Sequence, residues 1–372
     1  MNQGQTIFAQ IMEFISHDEF RRCVQRYDGN RSVRRLSCWN QFLAMAFAQL
    51  TYRHSLRDIE VCLRAQRSKL YHCGFKAPIR RSTLADANER RDWRIYADFA
   101  RTLIDIARPL DATTIDLCLS VFPWATYKRA KGAIKLHTLM EVHSSIPVFI
   151  DITHAKVHDI HLLDVIVPEP GSFLVMDRAY IDFARLYALH QALAFFVVRA
   201  KQNFQFRRRT SQTVDRLSGL RSDQTVSLTG PLSRKLYPIP LRRVSYYSEQ
   251  TDQSLVFLTN NFSIAPLTVA ALYRYRWQIE LFFKWIKQHL RIKRFFGTSP
   301  NSVKTQIWIA VAVYVLIAII KKKLGLQQSL YTILQVLSLT LFEKNSILSL
   351  FDNSNDTEKT LNSDNQLFLF QN

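Results

Sequence analysis

Three carboxylates, Asp116, Asp177 and Glu280, sit along this chain where two-metal phosphodiester chemistry would need them. Glu280 lies within YRYRWQIELFFKWIKQ, which also carries Tyr273, Arg276 and Lys287 in a Y-x2-R-x3-E-x6-K spacing. On an ideal helix these four fall at about 0°, 300°, 340° and 320°, a stripe about 60° wide. An amphipathic helix ordinarily turns its charges to water, yet Trp277, Phe282, Phe283 and Trp285 interleave with these. Such a stripe is expected to hold a ligand. Three converging carboxylates repel one another unless divalent cations lie between them. Magnesium suits the task, being hard and completed by water and phosphate oxygens. Two such ions about 4 Å apart activate an attacking oxygen and stabilise a leaving one. Taken singly, Asp116 reads equally as a strand-end cap, Asp177 as the opening of a turn, and Glu280 as the partner of Lys284 or Lys287. The joint pattern favours a site.

The elements that must position these residues follow from hydropathy. Residues 1 to about 75 repeat apolar side chains at helical spacing in FAQIMEFI, WNQFLAMAFAQLTY and SLRDIEVCLRAQ. Basic residues intervene: Arg21, Arg22, Arg31, Arg34, Arg35, Arg53, Arg57 and Arg64. A connecting helical segment follows, in which Arg90 and Arg91 are candidate phosphate contacts. From about residue 111 the pattern changes to strands: ATTIDLCLSVF, AIKLHTLMEV and PVFIDITHA. HDIHLLDVIV then reads as a helix, FLVMD as a buried strand, YIDFARLYALHQAL as a helix and AFFVVRA as a buried strand. The order βββαβαβ implies a mixed sheet covered by helices. Asp116 on the first strand and Asp177 after the fourth would then be neighbours. Residues 201–262 read as a β-rich insertion with a basic surface of Arg207, Arg208, Arg209, Arg242 and Arg243. The Glu280 helix follows, then an apolar helix, a helix near 328–342 and a polar tail expected to be disordered.

Composition sets the class of partner. The chain has 372 residues and a formal charge of +20, with a sequence pI of about 9.9. That excess favours a polyanion, either nucleic acid or an anionic membrane. The apolar run Ile307–Ile320 is shorter than the roughly 20 residues that cross a bilayer, so it reads as a core helix. The N-terminus has no basic region leading into an apolar stretch, so no signal peptide is expected. Five cysteines without C-x-x-C spacing read as reduced thiols of a cytosolic protein.

Lesser candidates carry less. His158 and His161 have a spacing that would suit a metal, but no third ligand is evident and a polar cap is favoured. Lys135, beside the site, and Arg199 and Lys201, at the end of the last predicted strand, are candidates to steer a polyanion, while core packing is the favoured reading for Trp124 and the tryptophans of the signature helix. Asp151 reads as structural.

The signature Tyr273, Arg276, Glu280 and Lys287, with Asp116 in TTIDLCLSVFPWA and Asp177 in D-R-A-Y, resembles the DDE transposases of the insertion-sequence-four (IS4) type. The resemblance spans most of the chain to about Ile320. It implies a ribonuclease H-like mixed sheet flanked by helices. The expected parts are a basic helical DNA-binding module at 1–75, a connection at 76–110 and the first part of the core at 111–200. The insertion at 201–262, the second part of the core at 263–325 and a C-terminal helix and tail at 326–372 complete the chain. Implied are catalytic and metal-binding roles for Asp116, Asp177 and Glu280, and DNA contacts by Tyr273, Arg276, Lys287, Arg34 and Arg35. Two Mg2+ ions are implied, with Mn2+ as a substitute. So are double-stranded DNA as partner, a homodimer that pairs two transposon ends, no membrane, and a bacterial cytoplasmic, nucleoid-associated location. The implied activity is cut-and-paste transposition at terminal inverted repeats, through a hairpin. The rival expectations are a transposase-derived DNA-binding protein and a nuclease without strand transfer.

Overall fold

The computed structural model describes residues 4–107, 116–126, 133–141, 146–154, 159–201, 203–249, 251–290 and 295–351. Seven helices come first: α1 (Ile7–Glu13), α2 (His17–Arg26), α3 (Cys38–Leu50), α4 (Leu56–Ala65), α5 (Arg67–Leu70), α6 (Arg81–Arg90) and α7 (Arg94–Ala107). Hydroxyls set several starts: Thr6, Ser16, Ser37 and Ser55 each accept a backbone N–H from the first turn of α1 to α4.

The strands are β1 (Asp116–Thr126), β2 (Ala133–Glu141), β3 (Pro147–His154), β4 (Phe173–Met176) and, after helix α8 (Phe183–Gln191), β5 (Phe195–Arg199). β1, β2 and β3 form an antiparallel meander, while β1, β4 and β5 run parallel. The spatial order 3-2-1-4-5 is that of a ribonuclease H-like sheet. Parallel pairing explains the apolar runs of β4 and β5, because both faces are covered. The HDIHLLDVIV segment is not an α-helix. It makes a 3-10 helix over Asp159–Asp164, and no regular element follows up to Pro168 and Pro170. Those prolines disfavour helical backbone at Val167 and Glu169.

The β-rich stretch extends this sheet. β6 (Phe206–Gln212), β7 (Leu220–Leu228), β8 (Leu241–Ser248) and β9 (Gln253–Thr259) form a meander, with the short α9 (Pro231–Leu236) between β7 and β8. β9 then pairs antiparallel with β5 through Val197–Thr259, Val198–Leu258 and Arg199–Phe257. The described strands therefore form one nine-stranded sheet in the order 3-2-1-4-5-9-8-7-6.

Three long or late helices complete the chain: α10 (Pro266–Leu290), α11 (Pro300–Lys323) and α12 (Leu330–Thr340). Ser299 caps α11, Pro300 occupies its first turn, and Lys321, Lys322 and Lys323 fill its last. By length and hydropathy α11 would cross a membrane, but its most apolar stretch is 94% buried inside the protein. It packs on α3, α6 and α7, and its apolar side chains share one core with those of the N-terminal helices. Each fully buried Val, Leu or Ile there contributes roughly 1.5–3 kcal/mol.

Candidate functional site

α10 begins from an anchored loop. The Asn261 carboxamide oxygen accepts the N–H groups of Ser263 and Ile264 at 2.9 and 3.0 Å. Arg242 holds the same loop from β8: one guanidinium nitrogen donates to the Ile264 carbonyl at 2.6 Å. Its other nitrogens donate to both Asp223 oxygens at 2.8 and 2.7 Å, with the two side chains each 7% exposed. Arg242 is therefore an internal strut, not part of a basic surface. The sequence shows its charge and not its burial. Arg243 is likewise withdrawn, packing over the Phe206 ring and donating to Ser222 and Gln224. Arg207, Arg208 and Arg209 are exposed on β6.

Two aromatic contacts then fix the rotation of α10. Tyr273 packs on Phe257 of β9 with ring centroids 4.8 Å apart. Phe282 meets Tyr314 of α11 edge-on, also at 4.8 Å. Nine residues separate Tyr273 from Phe282, which is about 180° of helix, so α10 is wedged between sheet and α11. Glu280 is two turns from Tyr273, on the sheet side.

On that side the charged groups gather. Arg276 donates to Glu280 at 2.6 Å, with side chains 22% and 41% exposed, and its guanidinium lies 5.5 Å from the Tyr273 ring centre. Burial acts to lower the Arg276 guanidinium, but the neighbouring Tyr273 and Glu280 outweigh it and the net displacement is upward. Burial pushes the Tyr273 phenol up; Arg276 and Arg199 oppose that displacement and Asp177 adds to it. The Tyr273 hydroxyl and Arg276 Nε have no partner of hydrogen-bonding geometry among the described residues. Asp177, at the C-terminal end of β4, is half-buried, and one of its oxygens accepts the Arg178 N–H at 2.7 Å. Its charge acts on both Tyr273 and Arg276. Asp177, Arg199, Tyr273, Arg276 and Glu280 thus form one electrostatic neighbourhood where α10 crosses β4 and β5.

The other expected residues lie at varying distances from it. Asp116 opens β1 level with Phe173, whereas Asp177 follows Met176, which is level with Leu119. Four residues separate the two levels, about 13 Å along the strand. The register therefore does not set Asp116 beside Asp177. Lys287 lies on α10 two turns beyond Glu280. Arg34 and Arg35 are exposed between α2 and α3, remote in sequence from the carboxylates. His158 lies outside the described residues, while His161 reaches Asp164 at 3.4 Å, and Asp164 is gripped by Arg185 at 2.7 Å. Lys135 pairs along the backbone with Pro123 and Thr153, and Trp124 lies within β1. Asp151 accepts its neighbour's N–H at 2.8 Å. Arg91 is no phosphate contact: it donates to Gln41 at 2.7 Å and to the Leu36 carbonyl, bracing α3. The polar tail after Phe351 lies outside the described residues.

The donors at Asp177 and Glu280 suit a hard divalent cation in kind, since both are carboxylates. Among the described residues no three His, Cys, Asp or Glu side chains form a group able to hold an ion. A cation there would take further oxygens from a first-strand carboxylate, water or a substrate phosphate.

Comparison with known proteins gives a consistent set of likenesses. Residues 105–316 match the family described as "Transposase DDE domain", and residues 3–76 match a domain of unknown function, DUF4372. A Sinorhizobium fredii protein named "Putative transposase y4zB" is 31% identical over 283 residues, covering 72% of this chain and 79% of the relative. A Geobacillus stearothermophilus protein named "Probable transposase for insertion sequence element IS5377" is 31% identical, covering 56% and 55% of the two chains. A Synechocystis protein named "Putative transposase for insertion sequence element IS4SA" is 24% identical, covering 64% and 71%. The solved piggyBac transposase synaptic complex with hairpin DNA matches with a TM-score of 0.46 at 12% identity, covering 91% of this chain and 80% of that one.

Proposed function

Because the chain belongs to the transposase DDE domain family, we propose that it acts on the terminal inverted repeats of an IS4-type insertion sequence, through a site built on Asp177 and Glu280. It is an enzyme of DNA cleavage and strand transfer, and that chemistry depends on divalent metal. The supporting observation for the site is the shared neighbourhood of Asp177, Tyr273, Arg276 and Glu280 at the end of a parallel strand.

Bound divalent cations, here taken as two Mg2+ with Mn2+ as substitute, supply charge that activates an attacking oxygen and stabilises a leaving one. Asp177 and Glu280 hold carboxylate oxygens towards that position. Arg276 orients Glu280 in the free protein and is free to turn part of its fork to a phosphate, its Nε being unengaged. The buried Tyr273 hydroxyl keeps its proton and offers a second donor. Lys287 extends the same face along α10 as a contact for the DNA backbone, and exposed Arg34 and Arg35 add contacts from the helical region. Water first cuts one strand, leaving a 3′-hydroxyl and a 5′-phosphate; that hydroxyl then attacks the phosphodiester of the opposite strand, whose flanking 3′-oxygen leaves, so the end closes as a hairpin. Two copies pair two ends, so the working form is a homodimer, in the bacterial cytoplasm at the nucleoid.

A second aspartate, Asp111, lies five residues before Asp116 in the sequence and outside the described residues. Incubation with a duplex carrying the element's own end tests the function. Joined strand-transfer products that appear with Mg2+ and vanish with chelator are expected. Cleavage without joining under every divalent ion would replace the proposal with a nuclease.

A further inference from the structure

A second feature with nucleic-acid chemistry lies away from the carboxylates, between α2 and α3. The cleft there has a volume of about 740 Å³, within the roughly 300–1,000 Å³ of small-ligand sites. Trp39 is its half-buried aromatic wall: Phe42 stacks on the indole at 5.7 Å and Phe20 meets it edge-on at 5.1 Å, while the His17 ring lies tilted against it at 4.5 Å and would have to turn aside for a stacked ligand. Asn40 also lines the cleft; it is 2% exposed, and its carboxamide oxygen has no hydrogen-bond partner among the described residues. A buried polar atom without a partner is costly, so its presence at a cleft wall suggests a ligand that satisfies it. Arg21, Arg31 and Lys76 stand exposed on the rim, against Asp28 as the one carboxylate among the lining residues. Asp18 partly neutralises Arg21 at 2.6 Å, leaving Arg31 and Lys76 as the principal cations.

An aromatic face, an amide edge and cations at the mouth match the three parts of a nucleotide: a base to stack, a base edge to bond and a phosphate to neutralise. A paired base in a duplex presents no face to stack upon, so the occupant must be unpaired or turned out of the helix. We propose that the α2–α3 cleft receives an unpaired nucleotide of DNA, stacked on Trp39 and held at its edge by Asn40, with its flanking phosphates on Arg31 and Lys76. The proposal rests on the reading that this chain acts on DNA, and the site is separate from the carboxylate cluster.

Fluorescence anisotropy at fixed salt tests it with two probes: a fully paired duplex, and the same duplex ending in an oligothymidine single strand. Wild type is expected to prefer the tailed probe, and Trp39→Leu to lose on the order of tenfold on it while changing less than twofold on the paired duplex. Arg31→Ser is expected to weaken both probes and to reduce the salt slope by about 1. Because Trp39 also packs on Phe20, photocrosslinking of wild type with a 5-iodouracil tail provides a reading that needs no variant. Crosslinks are expected on the peptide containing Trp39. Crosslinks confined to other peptides, or a folded Trp39→Leu protein with an unchanged preference, would overturn the proposal. Failure of wild type to bind any DNA would instead defeat the reading on which it rests.

Discussion

Replacing Asp223 with alanine should destabilise the protein and misplace the helix that carries Glu280. Asp223 and Arg242 are each 7% exposed, and both carboxylate oxygens accept from the guanidinium at 2.8 and 2.7 Å. Removing the carboxylate leaves a buried cation without its countercharge, which costs about 3–5 kcal/mol in comparable settings. Here Arg242 keeps its bond to the Ile264 carbonyl at 2.6 Å, so the lower end, about 3 kcal/mol, is expected. At about 2–4 °C per kcal/mol for domains of a few hundred residues, the melting temperature should fall by roughly 6–12 °C. The double variant Asp223→Leu with Arg242→Met removes both charges and should recover much of that loss. Its loop before α10 then lacks the Arg242 tether and keeps only the Asn261 bonds, so DNA cleavage should remain depressed while duplex binding stays within threefold of wild type. Thermal denaturation followed by calorimetry, with cleavage on the same preparations, reads both effects. A single variant within about 1 kcal/mol of wild type, or a double variant no more stable than the single, would refute the strut.

Other expectations are simpler. Burial holds the phenols of Tyr96, Tyr237, Tyr273 and Tyr314 above their ordinary value. A raised folded-state value means the folded form keeps protons that the unfolded chain releases, so stability is full below about pH 10 and is lost as pH rises beyond it. Alkaline titration by circular dichroism should show that loss, and Tyr314→Phe should move it to higher pH. Arg276→Ala should reduce cleavage by about tenfold or more, the scale of one charge-assisted hydrogen bond, with smaller effects on duplex affinity; equal losses in both would make Arg276 an ordinary binding residue. The variants Asp111→Asn and Asp116→Asn, compared in one cleavage assay, assign the first-strand carboxylate. With Asp116 about 13 Å along the strand from the level of Asp177, activity retained in Asp116→Asn is the outcome that agrees with the β1–β4 register, and activity lost in it would contradict that register.

Much of the core was legible because its signals are local. β-branched and apolar runs give β1 to β5, and their order gives the ribonuclease H-like arrangement. The helical stripe gives Tyr273, Arg276 and Glu280 on one side of α10, where Arg276 and Glu280 do meet. What stayed hidden depends on distant partners. Nothing near Gln253–Thr259 announces that β9 will pair with β5 and extend the sheet to nine strands. Arg242 and Arg91 look like surface cations until Asp223, Gln41 and the backbone carbonyls fold around them. The level of Asp116 against Asp177 is likewise a matter of register, which alternation leaves free to slide in steps of two. The Trp39 cleft joins residues of α2 and α3 to Lys76, a set that helical periodicity alone does not single out.

The most direct measurement is Mg2+-dependent cleavage of a duplex bearing the element's end by wild type, Asp177→Asn and Glu280→Gln, each first shown to bind that duplex equally. The account predicts that both variants bind within threefold of wild type and leave the DNA uncut. Cleavage by either variant at the wild-type rate would contradict it.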